Sequence, residues 1–190
     1  MNNFGRCFAD QDDLESAAPL LHQALQVSRK TLGNRHTDTL TSMNHLGALL
    51  VDQGDLKGAA PLLREALQTR RETLGIQHQD TLTSINNLGV LLVNQGDLEG
   101  ATPLLREALK VSRETLGARH PDTLTSVSNL GALLVEQGDM AGAAPLLREA
   151  LQTISEKIGN RQQDTLTSIS HLESRVDQSD RHSEDGALWT

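Results

Sequence analysis

The stretch HQDTLTSINNLGVLLVNQGDLEGATPLLREALKVSRETLGAR, residues 78–119, decides the architecture, because it returns almost unchanged on both sides. HTDTLTSMNHLGALLVDQGDLKGAAPLLREALQTRRETLGIQ fills residues 36–77, and HPDTLTSVSNLGALLVEQGDMAGAAPLLREALQTISEKIGNR fills residues 120–161. The period is 42 residues; the first two units agree at 30 of 42 positions and the second and third at 27 of 42. Self-similarity at a fixed period of this size marks stacked supersecondary units. A fourth start, QQDTLTSISHL, occupies residues 162–172 and then decays. The period also runs backwards: MNHLGALLVDQGDL at Met43, shifted by one period, lands on MNNFGRCFADQDDL at Met1. Residues 1–35 thus read as a partial unit entered halfway through its first helix. Either the array opens on a shortened capping helix, or the sequence is a stretch of a longer product. A natural cap is atypical and polar, so the preserved pattern favours the second expectation.

Each unit reads as two helices. In the central one the first runs roughly from Asp80 to Asn94, with Leu82, Ile85, Leu88 and Leu92 on one side of a 3.6-residue period. Asp80 suits the positive end of the helix dipole, and Pro121 of the next unit sits where a first-turn proline is tolerated. Gly96 offers a left-handed stop and Asp97 a side-chain N-cap for a second helix of about residues 98–115, closed by Gly117. Its apolar stripe is Leu98, Ala101, Leu105, Ala108 and Leu109. Pro19, Pro61, Pro103 and Pro145 fall six residues past the capping Asp, inside that helix. Proline there removes a backbone hydrogen bond, so a bend or a one-turn break is expected, not a helix end, because the stripe continues. Glycine inside a helix costs about 1 kcal/mol against alanine. Its regular return at Gly47, Gly89 and Gly131 therefore points to close backbone packing, as do Ala66, Ala108 and Ala150 in the second helix.

Composition narrows the function classes. The chain has 190 residues, 17 basic and 25 acidic, a net charge of −8. Its aromatics are Phe4, Phe8 and Trp189, whereas leucine appears 33 times, so the core is built from many small contacts. Base-stacking nucleic-acid modules need aromatic platforms, and phosphate-tracking surfaces need clustered Lys and Arg. The acidic balance also disfavours anionic membranes. The longest strictly apolar run is four residues, as at 90–93, against about 20 for a membrane-spanning helix. The first residues, MNNFGRCFADQDD, have no apolar signal region. Cys7 is alone, which excludes an internal disulfide and a Cys-pair zinc site. A soluble cytoplasmic protein is expected, with no nucleic-acid or membrane partner and no cofactor.

The spacing Leu46-Gly47, Leu50, Ala59, Leu63, Ala66 resembles the tetratricopeptide repeat. The 42-residue period, EALQTRRETLG (residues 65–75) and HPDTL (residues 120–124) resemble the kinesin light chain variant in particular. The likeness covers residues 1–172. Met43, Ile85 and Val127 stand where the family often has a large aromatic; Arg71, Arg113 and Ser155 stand where the shorter repeat has its terminal proline, which fits a longer second helix. The resemblance implies an all-α fold, a right-handed α-solenoid of antiparallel helix pairs. It divides the chain into an array over 1–172 and a polar tail over 173–190.

The family's repeats line a concave groove with first-helix side chains and bind peptide segments. Carried over by position, the groove presents Asn44, Asn86 and Ser128 in one row, with His45, Asn87 and Asn129 beside it. Then come Ala48, Val90 and Ala132, then Val51, Val93 and Val135, with Asp52, Asn94 and Glu136 at the far edge. Asn carries donors and an acceptor, so such a row can satisfy a partner's backbone whatever its sequence; the same residues would equally solvate an exposed helix face. Relatives that clamp chaperone C-terminal tails or acidic cargo motifs use Lys and Arg on these rows. Here there are none, and Asp52 and Glu136 repel acid, so a neutral or basic peptide or protein partner is expected.

Other candidates carry less. His36, His78 and His120 recur once per unit, but neighbouring packed helices stand about 10 Å apart, too far to share a metal ion through short ligand bonds; a helix-start role is expected instead. His45 and His171 fall on first helices, where an exposed or groove-lining place is expected. Arg64–Glu65 and Arg71–Glu72 read as solvated faces. No nucleophile–base pair, GxSxG, HExxH, phosphate loop or EF-hand loop appears, so no catalytic or metal site is expected. The tail ESRVDQSDRHSEDGALWT has too little apolar surface to order itself; Trp189 would serve as a partner anchor or is an incidental terminus. The sequence supports a non-catalytic interaction scaffold. The alternative is a regulatory or sensor array belonging to a larger signalling ATPase or enzyme.

Overall fold

A computed structural model describes residues 11–158. It holds seven helices: α1 (Gln11–Leu32), α2 (Thr37–Asp52), α3 (Leu56–Thr73), α4 (Gln79–Asn94), α5 (Leu98–Leu116), α6 (Pro121–Glu136) and α7 (Met140–Ile158). No strand occurs among the described residues. The half-helix at the start of the sequence, the partial unit at 162–172, His171 and the tail with Trp189 lie outside them.

The boundaries follow from the repeated punctuation. His36, His78 and His120 cap α2, α4 and α6: each Nδ1 accepts the backbone N–H two residues on, at 3.2, 3.1 and 3.2 Å. The expected helix-start role is met, with imidazole in place of the usual hydroxyl or carboxylate. Asp55, Asp97 and Asp139 cap the second helices by accepting from the N–H groups of Gly58, Gly100 and Gly142, each at 2.9 Å. Between α4 and α5 the chain reverses at Gly96, whose φ of 77° lies in the left-handed region that glycine reaches without strain. Pro61, Pro103 and Pro145 sit within unbroken helices. The one-turn break that proline allows is absent, because the buried stripe on either side holds the helix together.

Each helix packs on its neighbours in sequence, and α4 also touches α2 and α6. One core runs through the array. Leu40, Met43, Leu46, Leu63, Ile85, Leu105, Val127, Leu133 and Leu147 are all at most 2% exposed. A lone helix pair could not bury this face; stacking does. The tightest crossings explain the glycines. A Cβ on Gly47 would sit 2.6 Å from Leu63 Cδ2, and one on Gly131 would sit 2.7 Å from Leu147 Cδ2. Gly89 meets Leu105 in the same way. Ala66, Ala108 and Ala150 of the second helices are fully buried as well.

Candidate peptide-binding groove

The first helices lie against one another, while the second helices meet mainly through long side chains. The array therefore curves with α2, α4 and α6 on its inner side. Three pairs join successive second helices on the outer side: Arg29–Glu65 at 2.8 Å, Arg71–Glu107, and Arg113–Glu149 at 2.5 Å. The sequence places Arg71 and Glu65 on solvated faces of single helices; they are half-exposed rungs between units instead, because a side chain of that length reaches the next helix.

The groove positions fall into three depths. Asn44, Asn86 and Ser128 are 2%, 3% and 6% exposed, and Asn87, Asn129, Val51 and Val135 are also buried. Ala48, Val90, Val93 and Ala132 are half-buried. His45, Asp52, Asn94 and Glu136 are exposed. The amide row thus forms a floor between neighbouring first helices, and the small apolar row is what the surface offers.

That floor is a polar seam linking units. Between the second and third units, Asn86 Nδ2 donates to Ser126 Oγ at 2.8 Å and Asn129 Nδ2 donates to Asn86 Oδ1 at 3.3 Å. Ser126 Oγ also lies 3.3 Å from Ser112 Oγ. Between the first and second units, Arg70 stands where Ser112 stands one period later. It is 2% exposed. Its Nη1 donates to the Asp80 carbonyl at 3.0 Å and to Ser84 Oγ at 2.9 Å, and its Nη2 donates to Thr41 Oγ1 at 2.8 Å. Burial pushes its pKa below the ordinary arginine value, partly opposed by the charge of Asp80. Arg70 Nε and Asn44 Oδ1 have no partner there. Arg70 lies outside the residues the sequence marks for the groove, although it follows Ala66 and Leu67 at helical spacing on the buried stripe.

The floor is neutral apart from Arg70, and the far edge is acidic at Asp52 and Glu136. Among the described residues no group of three or more His, Cys, Asp or Glu side chains is placed to hold a metal ion. No described helix is long and apolar enough to cross a membrane.

Stacked antiparallel helix pairs on a 42-residue period, crossing at glycine–leucine contacts, define an α-solenoid repeat protein. The profile of the tetratricopeptide repeat family matches residues 1–72, 45–114 and 80–156, and the chain belongs to that family. No curated protein matches it. Among solved structures, the chain is similar to the nearly identical TPR-like repeats of a Podosopora anserina kinesin light chain-like protein, at 23% identity and a TM-score of 0.71, over 92% of this chain and 82% of that one. A point-substituted form of that protein gives a TM-score of 0.72 with the same identity and coverage. BtubC (BKLC) from P. vanneervenii is similar at 23% identity and a TM-score of 0.66, over 79% of this chain and 60% of its own length.

Proposed function

We propose that the chain is a non-catalytic, cytoplasmic interaction scaffold that holds a peptide or protein segment along the inner side of α2, α4 and α6. The observation that supports this most is the row Ala48, Val90 and Ala132. These small side chains stay half-open while the positions around them are buried, which leaves room for partner side chains over a neutral polar floor. The kinesin light chain-like neighbours agree with such a role. The exposed Asp52 and Glu136 favour a neutral or basic partner, since like charges across an interface suppress binding.

The test is a pull-down with Ala48→Arg, Val90→Arg and Ala132→Arg. These positions are preferable to Asn44 and Asn86, whose burial makes substitution disturb the stacking. Loss of partners with an unchanged helical circular dichroism spectrum is the expected result. Retention of the same partners by the triple variant would sink the groove reading.

A further inference from the structure

The outer side of the second helices carries a second charge pattern. Arg64, Arg106 and Arg148 occupy one position of the period and are all exposed. Each directly precedes a glutamate, but Glu65, Glu107 and Glu149 are committed to Arg29, Arg71 and Arg113 of the preceding second helix. Among the described residues nothing engages the three arginines; Lys57 and Lys110 share the face, and the exposed Glu99 takes the place of Lys57 one period later. In a chain of net charge −8, this face holds a line of three arginines whose neighbouring glutamates are already paired.

At the end of that line the surface is indented. A cleft of about 430 Å³ opens between the α5–α6 connection and α7, lined by Ala118, Arg119, Pro145, Arg148, Gln152 and Glu149 among others, with the Glu149 carboxylate held by Arg113. Its origin is visible in the repeat. Ile76 packs against the core in the preceding connection, whereas Ala118 takes its place here and leaves the space empty. Two guanidinium groups flank the cleft. Arg119 already takes part in an interaction within the molecule and adds its charge; Arg148 keeps its donor fork open.

We propose that this outer face, from Arg64 through Arg106 to the cleft beside Arg148, docks an extended acidic segment of a protein partner. A guanidinium fork matches a carboxylate with two parallel hydrogen bonds. Directly packed helices stand about 10 Å apart, the second helices here stand farther apart than that, and an extended chain rises ~3.3 Å per residue. Carboxylates at least three residues apart therefore meet one arginine after another. The partner preference is the opposite of that proposed for the groove, so one array holds two unlike segments on its two sides.

The test uses the full chain and a fluorescein-labelled peptide of about 12 residues, extended at ~3.3 Å each, with Glu at every third position and Gly or Ser between. Anisotropy at physiological salt should show the Glu peptide binding about tenfold more tightly than its Gln counterpart. Arg106→Glu with Arg148→Glu should abolish that difference. Ala118→Ile, which fills the cleft without altering charge, should weaken binding about threefold, the scale of one exposed charged contact. Val90→Arg should leave it unchanged. Equal binding of the Glu and Gln peptides, or full binding by the double arginine variant, overturns the proposal. So does single-stranded DNA of matched charge binding as tightly, which would make the face a general polyanion surface.

Discussion

Two junctions of this array share a backbone and differ in their polar chemistry. Where α2, α3 and α4 meet, a buried guanidinium ties three oxygens together: a threonine hydroxyl, a serine hydroxyl and a backbone carbonyl. Where α4, α5 and α6 meet, two amides and two serines form a neutral chain. The change turns on one position, Arg70 against Ser112. Arg70 takes Ser84, the counterpart of the Ser126 to which Asn86 Nδ2 donates; Asn44 Oδ1, the counterpart of the Asn86 Oδ1 that accepts from Asn129, has no partner. The apolar layer absorbs this difference without moving: Leu63 and Leu105 are equally buried, and both face a glycine. Shape complementarity therefore sets the stacking, and the polar seam is free to vary above it.

The largest expected effect tests that division. Leu63→Ala and Leu105→Ala should each cost about 3 kcal/mol in denaturant unfolding, the usual loss for a fully buried leucine. If the two costs differ by more than the measurement error, the apolar layers are not equivalent. Next, Arg70→Ala should cost about 2–3 kcal/mol, because it removes charge-assisted hydrogen bonds and strands Ser84 and Thr41, whereas Ser112→Ala should cost about 1 kcal/mol. Equal losses would show that the contrast has no energetic weight. Arg70→Ser sharpens the point. It should free Ser84 for Asn44, so a structure of that variant should show a bond matching Asn86 to Ser126. His78→Ala removes the cap at the start of α4 and should cost about 1 kcal/mol, with hydrogen exchange rising first at residues 79–82. Smallest is Arg71→Ala. Both ends of that rung are about 40% exposed, so its loss should stay below about 1 kcal/mol and shrink further in high salt.

Much of the fold is legible in one dimension. The caps at His78 and Asp97, the turn at Gly96 and the packing roles of Gly89 and Ala108 all follow from the period and from local rules that involve near neighbours. The candidate site is legible only in outline. A single unit shows which side of a first helix avoids its own second helix. It does not separate the part of that side facing solvent from the part facing the next unit. Asn86 and Ala48 look alike in a periodic count, yet one is sealed in the seam and the other opens on the surface. The burial of Arg70 is hard to see in the sequence for a related reason. Arginine in a charged helix reads as solvated, and only its place after Ala66 and Leu67 signals burial. The rungs from Arg29, Arg71 and Arg113 were hidden because each partner lies 36 residues away, in the next unit.

The rungs have a consequence for how such a chain can change length. Both ends of every rung recur at fixed places in the 42-residue unit, so the unit is a closed set of donors and acceptors. Excising residues 78–119 would bring Arg71 opposite Glu149 and Arg70 opposite Ser126, and Gly47 would keep its own Leu63. The rungs and the glycine–leucine crossings would survive the cut, the arginine junction would replace the neutral Asn–Ser seam, and stability in such arrays is close to a sum over neighbours. Unequal crossing-over between near-identical coding segments would thus yield shorter or longer proteins that still fold. Selection could then adjust the reach of the array one whole unit at a time.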